Sequence, residues 1–195
     1  MSRRAFIIHG YLSHPDEAWL PWLKAELVKQ GYVVSLPAMP HPERPIVSDW
    51  VAFITQLVGE PDHETVMIGH SIGCQAVLHY LETLGAAGKS VAKTVLVAGA
   101  FPLGMSRAEA ERTADGDAPL VPWFMANLDP AKVKRAAGRC TVILSDDDPY
   151  LPIPKVTATF KATLDPRIVM EHGYGHFNED NHLTALPAAL AAVIS

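Results

Sequence analysis

Cysteine is nearly missing from this 195-residue chain: Cys74 and Cys140 stand apart, with no CxxC pair. Two isolated thiols make neither a disulfide framework nor a zinc knuckle, and they fit a reduced, cytoplasmic setting. Charge is sparse as well, at 19% of residues, with 16 basic against 21 acidic side chains and a net charge of −5. Basic residues cluster at Arg3-Arg4 and at Lys132–Arg135, and the second group reads as one solvated helix face. A nucleic-acid partner would need a basic stripe interleaved with aromatics, so none is expected. No apolar stretch approaches the roughly 18 residues of a spanning helix, and no membrane association is expected. The run Ala5–Ile8 ends at His9-Gly10, far short of the apolar core of a signal peptide. Glycine is outnumbered by proline, 13 to 16, which favours rigid loops over flexible linkers.

What the chain does have is core material. Apolar residues make up 49% of it, which excludes global disorder. A chain of this size buries about 70% of its unfolded surface and is expected to form one domain, residues 1–195. Short β-rich apolar runs fall at Ala5–Ile8, Tyr32–Leu36, Thr65–Ile68, Thr94–Ala98, Thr141–Leu144 and Arg167–Met170. Helical spacing appears between them at Pro21–Gln30, Ser48–Val58, Ile72–Leu84, Pro130–Ala137, Lys155–Leu164 and Leu183–Ile194, with Gly31 and Gly85 as stop signals. Uninterrupted apolar strands alternating with helices predict an α/β fold, a three-layer sandwich around about six mostly parallel strands. Gly99–Asp129 breaks the rhythm. It shows no clear long helix but carries Phe101, Trp123 and Phe124, and it reads as either a long surface connection or a small lid or pocket wall.

The chemistry concentrates in three loops. Gly69-His70-Ser71-Ile72-Gly73 follows a strand and opens a helix, which gives the G-x-S-x-G pattern its context. There the serine sits on a strained turn at a helix N-terminus, and flanking glycines relieve crowding. Ser71 is the candidate nucleophile; Cys74, one turn on, lacks such a turn and reads as structural. A base must take the serine proton. Nine histidines compete. His14, His41 and His63 lie in polar or proline-rich loops, His79 lies inside a helix, and His70 emerges on the far side of the turn. His176, in the loop after the last strand, is the candidate base, with His172 as rival. The acid falls in Ser145-Asp146-Asp147-Asp148-Pro149. Three adjacent aspartates fit a metal site, a solvated turn or a triad acid. Pro149 restrains Asp148 and favours it, leaving Asp146 and Asp147 as solvent-facing or capping residues. The order Ser, Asp, His is that of the α/β-hydrolases. Backbone amides of Ile72 and Tyr11 are placed to hold an oxyanion, with Gly10 permitting close approach. His9, Trp19, Phe101, Trp123, Phe124 and Tyr150 are candidate substrate contacts.

These residues resemble the small α/β-hydrolase-fold serine hydrolases related to retinoblastoma-binding protein nine and to bacterial YdeN-like proteins. The resemblance rests on Ile8-His9-Gly10-Tyr11, Gly69-His70-Ser71-Ile72-Gly73, Ser145-x-x-Asp148-Pro149-Tyr150-Leu151-Pro152 and Gly175-His176-Phe177-Asn178. It implies Asp148 and His176 as acid and base, a minimal hydrolase fold with no full cap domain, and no cofactor or metal. The expected function is hydrolysis of small carboxylic esters through an acyl-enzyme, with amide, peptide or thioester cleavage open to the same machinery. The alternative is a binding or interaction module that keeps the fold with little catalysis. A complete triad argues against it, and the sequence itself indicates no protein partner. Only Gly99–Asp129 is available as cover, so the site is expected to be open.

Overall fold

The computed structural model describes residues 3–195. Among these, β1 (Arg4–Ile8), β2 (Val33–Ser35), β3 (Thr65–His70), β4 (Lys93–Val97), β5 (Arg139–Ser145) and β6 (Arg167–Glu171) form one sheet in the order β2-β1-β3-β4-β5-β6. Every neighbouring pair is parallel. Each of the six apolar runs overlaps one of these strands, with β3 running two residues further than its run, through Gly69-His70, to the edge where the nucleophile turn begins. Parallel strands need crossovers, and α1 (Leu20–Lys29), α2 (Val47–Val58), α3 (Ile72–Ala86), α6 (Pro130–Ala136), α7 (Ile153–Thr163) and α8 (Pro187–Ile194) supply them or close the chain.

The strands are apolar on both faces because both are covered. Phe6, Ile8, Met67, Leu96 and Val142 point into a core with Trp50 and Ile54 of α2, Val77 and Leu81 of α3, and Phe160 of α7. Their alternate neighbours Ala5, Ile7, Val66, Ile68 and Val95 meet Leu20, Leu23 and Leu27 of α1 and Ala189 and Val193 of α8. Each fully buried large aliphatic contributes about 1.5–3 kcal/mol by leaving water. No helix among the described residues is long and apolar enough to cross a membrane.

Three expectations change. The last helix begins at Pro187 instead of Leu183, because Leu186, before the proline, is held extended (φ −134°, ψ 82°) and proline suits the first helical turn. Gly85 does not stop α3, which continues to Ala86, and the left-handed residue beyond it is Gly88 (φ 71°). Gly85 instead marks where α6 crosses α3: a Cβ there would lie 1.9 Å from the Lys132 carbonyl oxygen. Gly85→Ala should therefore lower stability by about 1–3 kcal/mol, read as a drop in Tm, because backbone must move to admit one methyl. An unchanged Tm would show that α6 gives way freely.

Gly99–Asp129 holds more helix than its sequence suggests. It contains α4 (Arg107–Ala114) and the short α5 (Val121–Met125). Ser106 Oγ accepts from the Glu109 amide at 3.3 Å, and the Ser106 amide donates to the Glu109 carboxylate at 3.0 Å. This reciprocal cap, Ser106-x-x-Glu109, was the readable signal for α4. Ala110, Ala114 and Val121 bury a small core of their own with Phe124. Trp123 pins the segment to the main body, edge-on to Trp50 and His79, with its Nε1–H donated to the Pro45 carbonyl at 2.9 Å.

Candidate active site

The turn between β3 and α3 forces Ser71 into φ 55°, ψ −125°, a conformation that costs a non-glycine residue roughly 1–3 kcal/mol. Its neighbours leave no room for relaxation. A Cβ on Gly73 would meet the Ile8 and His9 carbonyl oxygens at 2.3 and 2.5 Å, and one on Gly69 would meet Cys74 backbone at 2.7 Å. The two glycines let the turn nest against β1 and the start of α3. Gly10 does the same from the β1 side, since a Cβ there would come within 3.0 Å of Ser71 Cβ.

His176 Nε2 lies 2.9 Å from Ser71 Oγ, and His176 Nδ1 lies 2.8 Å from Asp148 Oδ2. A carboxylate only accepts, so Nδ1 carries the ring proton and Nε2 presents a lone pair to the serine hydroxyl. Asp148 is oriented in turn: its Oδ1 accepts from the Tyr150 and Leu151 amides at 2.9 and 3.2 Å, and its side chain is fully buried. The Tyr150 ring meets His176 edge-on, with centroids 4.9 Å apart. His172 faces elsewhere, paired with Asp146 Oδ2 at 2.6 Å on the exposed rim. The Asp146 contact raises the His172 pKa, and His172 lowers that of Asp146.

The three carboxylates thus diverge. Asp148 turns to His176 and Asp146 to His172, while Asp147 Oδ1 accepts from the Ser145 hydroxyl at 2.5 Å and the Gly175 amide at 2.9 Å. Those two donors hold the Asp147 carboxyl below its usual range. Asp146 and Asp147 are both exposed, as expected of solvent-facing residues, and each also binds the histidine-bearing loop.

His70, on the far side of the turn, is buried and tied to the site. Its Nε2–H donates to the His176 carbonyl at 2.9 Å, and its ring stacks edge-on to Trp19. Burial drives its pKa down to about 3, reinforced by the neighbouring His176 and opposed by Asp148. Between about pH 6.5 and 3 the unfolded chain binds a proton at this position that the folded chain refuses. Stability should therefore fall as pH drops through that window, by about 1.4 kcal/mol per pH unit for one such group. Burial lowers the pKa of His9 too, and it adds to the same slope. Urea midpoints at pH 7 and pH 5 check this. His70→Gln, which keeps a donor for the carbonyl, should show a smaller drop than the wild type, and an equal drop would assign the slope elsewhere.

Four candidate substrate contacts belong to the core instead. His9 is fully buried, accepting from the Met39 amide at Nε2 and donating from Nδ1 to the Gly10 carbonyl, both at 3.0 Å. Trp19 is fully buried and donates to the Phe177 carbonyl at 2.9 Å. Trp123 packs as described, and Phe101 lies edge-on to Phe160. Large aromatics bury where the most area leaves water, and these found that place inside. Phe124 is half-buried on the α4–α5 core. Tyr150, 64% exposed beside His176, is the one left at the reacting groups. The structure joins Tyr11 to the Gly99–Asp129 segment, its hydroxyl donating to Asp117 at 3.2 Å. A cavity of about 590 Å³ opens inside that segment, between Arg107, Glu111, Pro122 and Met125, and no triad residue lines it. Cys74 is buried with its thiol pKa raised by burial, and burial likewise pushes Cys140 up to about 12.

A serine on a strand–turn–helix elbow, at the carboxyl edge of a parallel sheet sandwiched by helices, defines the α/β-hydrolase class. The chain belongs to the serine hydrolase family, which it matches over residues 5–194. It is 29% identical over 188 residues to the YdeN protein of Bacillus subtilis (strain 168), spanning 96% of this chain and 92% of that protein. The crystal structure of the B. subtilis ydeN gene product shares the fold at a TM-score of 0.83 and 26% identity, covering 97% of this chain and 96% of its own. Est1E from Butyrivibrio proteoclasticus shares it at a TM-score of 0.71 and 16% identity, covering 98% and 85%.

Proposed function

We propose that the protein hydrolyses small carboxylic esters through an acyl-enzyme, with Ser71 as nucleophile, His176 as general base and acid, and Asp148 as the group that orients His176. One observation carries this reading: the unbroken relay from Ser71 Oγ through His176 to Asp148, at 2.9 and 2.8 Å, in the tautomer that frees Nε2 to accept. Ser71 Oγ attacks the acyl carbon as its proton passes to His176 Nε2. The oxyanion that forms is held by the Ile72 amide, at the N-terminus of α3, and the Tyr11 amide. Collapse breaks the bond to the leaving oxygen, which departs with the proton from His176. Water then attacks the acyl carbon, gives its proton to His176, and a second collapse returns that proton to Ser71 and releases the acid.

Small acyl groups are favoured because the aromatics that would build a deep acyl pocket, Trp19, Phe101 and Trp123, are spent in the core. Tyr150, edge-on to His176, is 64% exposed and forms no closed wall. The structure of Est1E with ferulic acid bound shows this fold accommodating a small carboxylic acid in that protein. A panel of p-nitrophenyl esters of increasing acyl length, run beside matched anilide and thioester substrates, tests the proposal. Turnover should peak at short acyl esters. Faster cleavage of the anilide or of long-chain esters would overturn the substrate class.

A further inference from the structure

Between the acid loop and the histidine loop runs a second set of bonds that the proton relay does not use. Ser145 is the last residue of β5 and lies in register with Glu171, the last residue of β6, so the two loops leave the sheet side by side. Immediately beyond that pair, the Tyr174 amide donates to Ser145 Oγ at 3.0 Å, and the Gly175 amide donates to Asp147 Oδ1 at 2.9 Å. The Ser145 hydroxyl, having accepted from Tyr174, donates to the same Asp147 oxygen at 2.5 Å. The two amides caught in this way belong to the residues directly preceding His176.

That stretch needs holding. Gly173, Gly175 and Phe177 all have positive φ, at 76°, 50° and 58°, so three of five successive residues sit in the left-handed region. Phe177 is not glycine and resists that conformation. From below, His70 takes the His176 carbonyl and Trp19 takes the Phe177 carbonyl. Nothing in the Ser71–His176–Asp148 relay itself fixes the backbone ahead of His176.

We propose that Ser145 and Asp147 are positioning residues for the base: the Ser145–Asp147 pair grips the Tyr174 and Gly175 amides and so sets where His176 Nε2 stands relative to Ser71 Oγ. The proposal rests on His176 serving Ser71, and it gives the neighbouring aspartates separate work. Asp148 sets the tautomer and Asp147 sets the position, while Asp146 pairs with His172 in solvent, where an ion pair contributes little, and accepts the Gly173 amide at a longer 3.3 Å, three residues ahead of His176. A misplacement of about 1 Å costs up to about a hundredfold in rate, so the loss of Asp147 should be visible in the chemical step.

The experiment compares kcat and KM on a short-chain p-nitrophenyl ester, and the second-order rate of fluorophosphonate labelling, across variants. Asp147→Ala should lower kcat and the labelling rate together by about ten- to a hundredfold, with KM within about threefold. Asp147→Asn should restore most of the rate, because both bonds land on Oδ1 and an amide oxygen can accept both. Ser145→Ala should also slow labelling, and Ser145→Ala with Asp147→Ala together should be little worse than Asp147→Ala alone, since both act through one grip. Labelling of Asp147→Ala at the wild-type rate would overturn the proposal, as would an Asp147→Asn variant as slow as Asp147→Ala. If Asp147→Ala does not fold, Ser145→Ala decides, and a folded Ser145→Ala protein labelled at the wild-type rate overturns it. A wild type that is not labelled at all removes the Ser71 reading itself, whereas a labelled wild type with an equally fast Asp147→Ala removes only the positioning.

Discussion

Ser71→Ala should reduce ester turnover about a millionfold and abolish covalent labelling by a fluorophosphonate probe. Labelling forms a P–O bond to Ser71 Oγ as fluoride leaves, and His176 Nε2, 2.9 Å away, takes the hydroxyl proton. No nearby group can take over. Cys74 is one turn along α3, but its thiol is buried, bonded to the Val97 carbonyl, and kept protonated by its raised pKa. The backbone at position 71 keeps its φ of 55° in the alanine variant, so the strain is unchanged and Tm should stay close to that of the wild type. Intact-mass spectrometry after probe treatment reads the result. A labelled alanine variant would place the nucleophile elsewhere, and an unlabelled wild type would favour a binding module over an enzyme.

Asp148→Asn should cut kcat about 10⁴-fold, equivalent to about 5.5 kcal/mol of transition-state stabilisation, with little change in KM. The local bonds explain why so small a change is so costly. Asp148 Oδ1 accepts from the Tyr150 and Leu151 amides, so an asparagine there keeps its oxygen on that side. Its NH₂ group then faces His176 Nδ1 and donates to it. The ring proton moves to Nε2, which can no longer accept from Ser71. The loop stays folded because its backbone donors keep their acceptor, and thermal melts should confirm that the loss is chemical. Asp146→Asn is the control: it alters an exposed contact to His172, and steady-state kinetics should show kcat within about twofold of the wild type. The reverse pattern would move the orienting acid to Asp146.

The parts of the molecule that were legible in the sequence are those written in local pattern. Thr65–Ile68 had to be a strand covered on both faces, because Val66, Met67 and Ile68 are consecutive and apolar, and in the sheet Met67 faces one core while Val66 and Ile68 face the other. Gly69 and Gly73 announced a crowded turn around Ser71, and in the structure any Cβ at either position collides with backbone. Ser106-x-x-Glu109 is a local capping signal of the same kind, but reading Gly99–Asp129 as a stretch with no clear long helix leaves it unused. Less legible were roles that depend on neighbours distant in sequence. Gly85 looks like a helix stop until α6 is laid across it. Trp19 and Trp123 have the composition of a pocket wall and the environment of a core.

The scarcities of this sequence, in cysteine, in charge and in long apolar runs, together with its alternating pattern, determined a covered parallel sheet bearing a serine elbow. That much follows from period, turn chemistry and burial, which act over a few residues. Pro149 and the family resemblance pointed to Asp148 as the acid, but tertiary structure alone decided what Asp146 and Asp147 meet, because the three aspartates are chemically identical and adjacent. Their difference lies in what stands 26 to 28 residues away, His172, Gly175 and His176, brought to them by the pairing of β5 with β6.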